Sequence, residues 1–213
     1  MIDKICDKLM KRIRAKMPEV DDERAEVIKY GLELIIGELP KMFLLFIIAW
    51  LLGIFKYALI SFAIILPYKL VSGGVHLKTH IGCILGTSLF YCGNVFISKY
   101  INIPDIKNQI IFSAIILTFA IIMISLYAPA DTENVPILRK KERAKKKIIS
   151  YIIVTTMIII SFLVKDRVIS NMFRVGVLLQ SIMISKLTYN IFKVKFGYLE
   201  YIKTKKMLYS IFT

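Results

Sequence analysis

The chain has 213 residues, 57% of them hydrophobic, with a mean hydropathy of +0.65 and a formal net charge of +15. A soluble domain usually carries about 45–50% apolar residues, so this composition excludes an ordinary soluble fold. The basic residues flank apolar segments and form no aromatic–basic module, which argues against a nucleic-acid partner and for contact with anionic membrane lipid.

The first predicted element is an amphipathic helix. In "MIDKICDKLMKRIRAKM" the apolar residues share one helical face and most basic residues lie off it, a pattern typical of a helix on a membrane surface. Asp21 or Asp22 is expected to cap a second helix that runs to about Pro40. Because Glu33 and Glu38 are embedded in it, we expect this helix to be interfacial rather than spanning.

Six apolar blocks follow, and stretches near ~20 residues with few charges predict membrane-spanning helices. They are Met42–Phe55, Tyr57–Pro67, Ile81–Ile97, Ile110–Ala128, Ile148–Val164 and Val168–Ile184. The sequence therefore predicts an all-α polytopic membrane protein with about six transmembrane helices and an N-terminal amphipathic helix. We expect one domain, with interfacial helices over 1–40, transmembrane helices over 41–185 and a basic cytoplasmic tail over 186–213.

The distribution of lysine and arginine predicts the orientation of these helices. Residues 1–24 and 129–147 hold seven each and residues 186–206 hold six, whereas residues 99–108 and 165–167 hold two each. The positive-inside rule therefore places the first three regions in the cytoplasm.

The stretch Met42–Pro67 fits either one long tilted span or two short spans broken at "GIFK". Only two spans leave both the N-terminal region and residues 129–147 in the cytoplasm, so we predict a break. Both termini and residues 68–80 are then cytoplasmic. The two helices are short for a core of ~30 Å, which bilayer thinning or contacts within an oligomer such as a homodimer would accommodate.

One short stretch, "VSGGVHLKTHIGC", holds both histidines and one of the three cysteines. Gly73 and Gly74 permit a tight bend, and Cys83 is expected at the start of the next helix, where the helix dipole favours a thiolate. A histidine base would complete a nucleophilic pair. In a continuous helix His76 and Cys83 share a face but stand about 10.5 Å apart along the axis, so their contact requires a break. His80 is the alternative base, since residues at positions i and i+3 of a helix, such as His80 and Cys83, are in contact without any break in the helix.

No cofactor or metal ion is expected. The sequence has no CxxC, no paired metal-ligand spacing and no glycine-rich phosphate loop, and two histidines are too few for a histidine-rich metal site.

The segment "KLVSGGVHLKTHIGC" resembles the accessory gene regulator B (AgrB) family, integral membrane cysteine endopeptidases of Gram-positive peptide signalling. The resemblance extends over nearly the whole chain in length, basic start and hydrophobic layout, and includes "EVIKYGLELIIGELPK". It implies cleavage of an AgrD-type propeptide near the cytoplasmic face, with Cys83 as nucleophile and His76 as base. The implied acyl-enzyme is resolved by the peptide's own thiol or hydroxyl, which closes a thiolactone or lactone ring. The family commonly has arginine seven residues before the histidine, where this chain has Lys69. The lysine keeps the positive charge but lacks the guanidinium group that can bind a carboxylate through two parallel hydrogen bonds.

The basic run "LRKKERAKKK" is expected to fix orientation and to contact lipid headgroups. Because the implied propeptide ends in an acidic tail, Lys145, Lys146 and Lys147 are also expected to attract the substrate. The competing interpretation is a non-catalytic peptide transporter or scaffold whose histidines line a cavity. A transporter is expected to have broken membrane spans at corresponding positions in the two halves of its chain, and no segment in the second half of this sequence matches "GGVH".

Overall fold

The computed structural model describes residues 2–17, 19–75, 77, 79–132 and 136–203. Within these ranges the named helices are α1 (Ile2–Lys16), α2 (Asp22–Leu51), α3 (Phe55–Ser72), α4 (His80–Tyr100), α5 (Ile106–Tyr127), α6 (Lys140–Leu163), α7 (Arg167–Met183) and α8 (Lys186–Ile191). The predicted all-α class is confirmed. The chain forms two compact units, Met1–Ile48 and Ala49–Thr213.

The N-terminal unit is held together by contacts between α1 and the first turns of α2. Met10 of the α1 apolar face is buried with Val20 and Ala25. An ion pair of 2.6 Å joins Lys29 Nζ of α2 to Asp7 Oδ1 of α1. Part of the apolar face predicted to lie on a membrane is therefore covered by α2.

Helix α2 begins as the sequence predicts and ends later than predicted. Asp21 Oδ1 accepts the backbone N–H of Arg24 at 2.8 Å, so the cap is the first of the two candidate aspartates. The predicted end near Pro40 is wrong, because the helix continues to Leu51. A proline removes only one helical N–H, and an apolar helix that continues on both sides of it tolerates that loss.

The helix ends at a glycine with left-handed backbone. Gly53 has φ +66°, its N–H donates to Trp50 O at 3.0 Å, and the Ile54 N–H donates to Ala49 O at 2.9 Å. These two bonds form a Schellman motif, which satisfies carbonyls that the helix end would leave unpaired. With α3 beginning at Phe55, the predicted break at "GIFK" is confirmed.

Among the described residues, four helices are long and apolar enough to cross a membrane, namely α3, the Ile81–Tyr100 part of α4, α5 and α6; the apolar end of α2, Leu39–Leu51, is shorter. Their outer faces carry large apolar side chains, including Leu89 at 75% exposed and Ile115 at 63% exposed. Such faces suit lipid contact. The number of spans stays a prediction.

Helix α7 lies at the centre of the second unit, because it packs against α3, α4, α5 and α6. It buries Asn171, Arg174 and Gln180. The Arg174 guanidinium donates to Ser113 Oγ at 3.0 Å and to Gln109 Oε1 at 3.2 Å, both on α5. Neighbouring helices rather than lipid thus surround the polar side chains of the last predicted span.

Candidate active site

The chain between α3 and α4 starts with a bend that requires glycine. Gly73 has φ +75° and Gly74 has φ +146°, values that L side chains rarely adopt. Gly73 forms a parallel β-bridge with Ala130, in which the Gly74 N–H donates to Ala130 O at 2.9 Å and the Ala130 N–H donates to Ser72 O at 2.8 Å. A Cβ built on Gly73 would lie 2.2 Å from that same oxygen. The bend is therefore fastened to the segment that follows α5.

A buried glutamine of α7 holds the other side of the bend. Gln180 is 1% exposed, and its Nε2 donates to Gly73 O at 2.7 Å and to Ser72 Oγ at 3.0 Å. Its Oε1 is buried and has no hydrogen-bond partner among the described residues. The peptide at Gly73 is thus fixed by one helix and one loop at once.

A buried carboxylate anchors the loop that carries Ala130. Asp131 Oδ2 accepts the backbone N–H of Ile137 at 2.9 Å and of Tyr198 at 3.1 Å, and pairs with Arg143 NH1 at 3.0 Å. The Asp131 side chain is 1% exposed. Removal of one partner of a buried ion pair leaves an uncompensated charge, so this contact constrains the loop strongly.

The C-terminal region packs onto the same loop. The Tyr189 hydroxyl donates to Ala130 O at 3.0 Å and lies 3.2 Å from Asp131 O, and its ring stacks on Phe196 with centroids 3.9 Å apart. Burial, together with the nearby Asp131 charge, raises the pKa of Tyr189 above its usual value. Residues of the predicted basic tail therefore help to hold the bend.

Cys83 lies in the first turn of α4. Thr79 caps this helix, accepting the Gly82 N–H at 3.1 Å through its hydroxyl and the Cys83 N–H at 2.9 Å through its carbonyl. Cys83 is partly exposed, whereas Cys6 and Cys92 are buried. Cys83 is thus the most accessible of the three cysteines, and it lies in the N-terminal turn of α4.

The segment before α4 folds back onto its first turns. Leu77 Cδ1 lies 3.6 Å from the position that a Cβ would take on Gly82 and 3.0 Å from that on Gly86. These two glycines make room for the leucine. This packing places Leu77 against the turn of α4 that contains Cys83.

The two histidines differ in what the structure describes. His76 lies outside the described residues, as does Lys78, and of His80 the backbone alone is described, at the start of α4. The helix ends at Ser72 and resumes at His80, so the break that a His76–Cys83 contact requires exists. The roles of both histidines stay predictions.

The lysines predicted to support the site have unequal surroundings. Lys69 Nζ lies 5.8 Å from the ring centroids of both Phe90 and Tyr91, in the cation–π range. On α6, Lys146 Nζ pairs with Glu142 at 3.3 Å.

The remaining two lysines of the triplet also differ from each other. Lys147 Nζ donates to Ser125 O at 2.5 Å, whereas Lys145 is exposed. Lys145 is therefore the member of the triplet best placed to meet an acidic partner, and the substrate role of all three stays a prediction.

Sequence reasoning missed Gln180 and Arg143 as neighbours of the bend or of the loop that it contacts, and placed Asp131 near the site by adjacency alone. Gln180 stands out as a polar residue in an apolar helix, but nothing in the sequence connects it to Ser72, 108 positions earlier. Arg143 looks like any other member of its basic run. Its bond from NH2 to Pro129 O, at 3.1 Å, depends on how α6 meets the loop.

A family model and individual relatives both match this chain to the same protein family. The family model described as Accessory gene regulator B matches residues 2–184. An AgrB-like protein of Listeria innocua serovar 6a and one of Listeria monocytogenes serovar 1/2a are each 30% identical over 200 residues, covering 91% of this chain and 91% of the relative. An AgrB-like protein of Clostridium acetobutylicum is 24% identical over 180 residues, 84% of each chain. No solved structure matches.

Proposed function

Because this chain belongs to the accessory gene regulator B family, we propose that it is a membrane cysteine endopeptidase that cleaves an AgrD-type propeptide. Family membership indicates a part in agr quorum-sensing peptide processing and, with several apolar helices, a multi-pass membrane protein. The observation that carries the proposal is the partly exposed Cys83 in the first turn of α4, with the Leu77 side chain packed against that turn.

The proposed reaction has two acyl transfers. His76 takes the proton of the Cys83 thiol, and the thiolate attacks a peptide carbonyl of the propeptide. The C–N bond breaks, the imidazolium returns its proton to the leaving amine, and the acidic C-terminal part departs. The peptide's own thiol or hydroxyl then attacks the thioester, which closes the ring and returns a thiol to Cys83. Exclusion of water from a site at the membrane boundary would favour ring closure over hydrolysis.

We propose that the site faces the cytoplasm, with both chain termini on that side. Anionic lipid and the acidic part of the propeptide would both be attracted to the basic start of α6, where Lys145 is exposed. A homodimer would help to cover the short apolar end of α2.

The three cysteines supply a matched experiment for this proposal. Purified protein in proteoliposomes is given the propeptide, and the cleaved products are quantified by mass spectrometry. Cys83→Ala and Cys83→Ser are expected to abolish cleavage, whereas Cys6→Ser and Cys92→Ser retain it. Cleavage by Cys83→Ala at the wild-type rate would overturn the proposal and favour a non-catalytic transporter or scaffold.

A further inference from the structure

One backbone carbonyl joins the Gly73–Gly74 bend to the C-terminal region. Ala130 O accepts the Gly74 N–H at 2.9 Å and the Tyr189 hydroxyl at 3.0 Å. A carbonyl oxygen has two lone pairs, so both donors bind it at the same time. Burial raises the pKa of Tyr189, so its hydroxyl stays protonated and remains a donor at neutral pH. The oxygen that fastens the bend to the loop after α5 therefore also fastens α8 to that loop.

The chain beyond α8 crosses the same loop at close range. A Cβ added to Gly197 would lie 2.2 Å from Thr132 O and 3.0 Å from Pro136 Cβ, so this crossing requires a residue without a side chain. The Gly197 N–H donates to Asp131 O at 3.5 Å, and the Tyr198 N–H donates to Asp131 Oδ2 at 3.1 Å. Backbone groups of two consecutive residues thus hold the C-terminal chain on the loop.

Aromatic and charged side chains complete this contact. Phe196 stacks on Tyr189 with ring centroids 3.9 Å apart and on Tyr127, the last residue of α5, with centroids 6.1 Å apart. The Arg143 guanidinium, which forms the buried ion pair of the loop, lies 4.3 Å from the centroid of the Tyr198 ring. The C-terminal chain is therefore bound to the loop and also to the helices that the loop connects.

The bend leads into residues that pack beside the first turns of α4. Val75 packs against the core cluster that contains both Ala130 and Tyr189. Leu77 Cδ1 lies 3.0 Å from the position that a Cβ would take on Gly86 in α4. A displacement of the bend is therefore expected to change the packing beside the turn that carries the candidate nucleophile.

We propose that Tyr189 and residues 194–198 form a C-terminal clamp that positions the Gly73–Gly74 bend for the reaction, acting through Ala130 O. This inference rests on the proposed function, in which Cys83 is the nucleophile. The matched family model covers residues 2–184, so the clamp lies outside the part of the chain that this model matches. Tyr189 is then a positioning residue, because it contacts the loop rather than the reacting atoms.

Two substitutions open the clamp in different ways. Tyr189→Phe keeps the ring that stacks on Phe196 and removes the hydroxyl donor, whereas Gly197→Ala forces the C-terminal chain away from Thr132 O. We expect Tyr189→Phe to lower kcat for propeptide cleavage by about 3- to 10-fold, the factor that one hydrogen bond contributes. We expect Gly197→Ala to lower kcat by about 10-fold or more, because several contacts are lost together. KM is expected to change less than about threefold in both variants, since the clamp does not bind the substrate.

Each substitution has a matched control in the same compact unit. Tyr68→Phe also removes a buried tyrosine hydroxyl, one that lies 3.0 Å from Ser181 Oγ rather than at the loop. Gly93→Ala also adds a methyl group, at a position with no heavy atom within 4 Å of the added Cβ. We expect both controls to leave kcat within about twofold of wild type.

A second measurement needs no propeptide. Hydrogen exchange of the full chain in proteoliposomes, read by mass spectrometry, reports the opening of the bridge at the Gly74 and Ala130 N–H groups. If the clamp holds the bridge, Tyr189→Phe and Gly197→Ala accelerate exchange at these two amides by about threefold or more and leave exchange in α7 unchanged. Side chains that served only the fold would instead accelerate exchange at the bridge and in α7 alike, together with a lower unfolding temperature.

The outcomes are distinct. Faster exchange at the bridge together with lower kcat, in both clamp variants and in neither control, supports the inference. Wild-type exchange at the bridge overturns the inference, as does wild-type kcat despite faster exchange. If Gly197→Ala does not insert, Tyr189→Phe and its control Tyr68→Phe decide alone on the same two readouts. Cleavage by Cys83→Ala would instead overturn the proposed function and leave the exchange result unchanged, so the two failures are distinguishable.

Discussion

Substitution of Gly73 by alanine is expected to displace the bend that carries the candidate base. The added Cβ would lie 2.2 Å from Ala130 O, a separation that real Cβ atoms essentially never show, and backbone surrounds the site. The φ of +75° adds a left-handed penalty of about 1–2 kcal/mol for any L side chain. Relief of the clash breaks the two bridge hydrogen bonds, at about 0.5–1.5 kcal/mol each. The sum is about 2–5 kcal/mol.

If the bend must be in place for the reaction, that free energy appears in the barrier. At 1.36 kcal/mol for each factor of ten, kcat is expected to fall by about 30-fold to several thousand-fold. The assay is single-turnover cleavage of the propeptide in proteoliposomes, with unfolding temperature measured on the same samples.

Two glycines serve as matched controls for Gly73→Ala. Gly53 also has a positive φ, +66°, but no heavy atom lies within 4 Å of its added Cβ, so Gly53→Ala carries the backbone penalty alone. Gly93 has neither the contact nor the strain, and Gly93→Ala is expected to be neutral or slightly stabilising within α4. A Gly73→Ala variant with kcat within about threefold of wild type, beside a destabilised Gly53→Ala, would refute the link between the bridge and the reaction.

Three further predictions follow from the site and its setting. His76→Ala is expected to lower kcat by about 10²-fold or more, the scale of general-base catalysis, and His80→Ala to be milder; the reverse ranking would assign the base to His80. Replacing the lysines at 145–147 by glutamine is expected to raise KM for the propeptide, leave kcat nearly unchanged and weaken the salt dependence of KM, since salt screens the attraction between lysines and an acidic substrate with a Debye length of ~8 Å. The control is a variant that removes the same number of positive charges from the side of the membrane opposite to this cluster. An unchanged KM at low salt would limit the cluster to lipid contact and orientation. Single-cysteine labelling is expected to find residues 131–147 and 190–206 cytoplasmic and residues 100–106 outside, and the opposite result would undo the proposed orientation.

Local signals in the sequence predicted the features that depend on local physics. The cap at Asp21 or Asp22 and the helix start before Cys83 follow from hydrogen bonds between residues within a few positions of one another. The break at Gly53 was predicted differently, from the distribution of lysine and arginine and the number of membrane crossings that it requires. The end of α2 was predicted wrongly at Pro40, because a proline disfavours a helix without preventing an apolar one from continuing.

Long-range contacts could not be predicted in the same way. Three contacts join residues that only the tertiary packing brings together. They are the ion pair between Asp131 and Arg143, the hydrogen bond from Gln180 to Gly73 O, and the hydrogen bond from the Tyr189 hydroxyl to Ala130 O. A sequence shows that a buried polar side chain needs a partner, but not which one it finds.

The most direct test of the central claim is to look for the acyl-thioester on Cys83. A propeptide whose ring-forming thiol or hydroxyl residue is replaced by alanine cannot resolve the intermediate by cyclisation, so rapid acid quenching and peptide mass spectrometry would find it trapped. We expect the Cys83 peptide to gain the mass of the acyl group formed by the N-terminal part of the propeptide, and we expect this gain to be absent from Cys83→Ala and reversed by hydroxylamine. Release of the acidic tail at the wild-type rate with no adduct on Cys83, or with the adduct on Cys92, would contradict it.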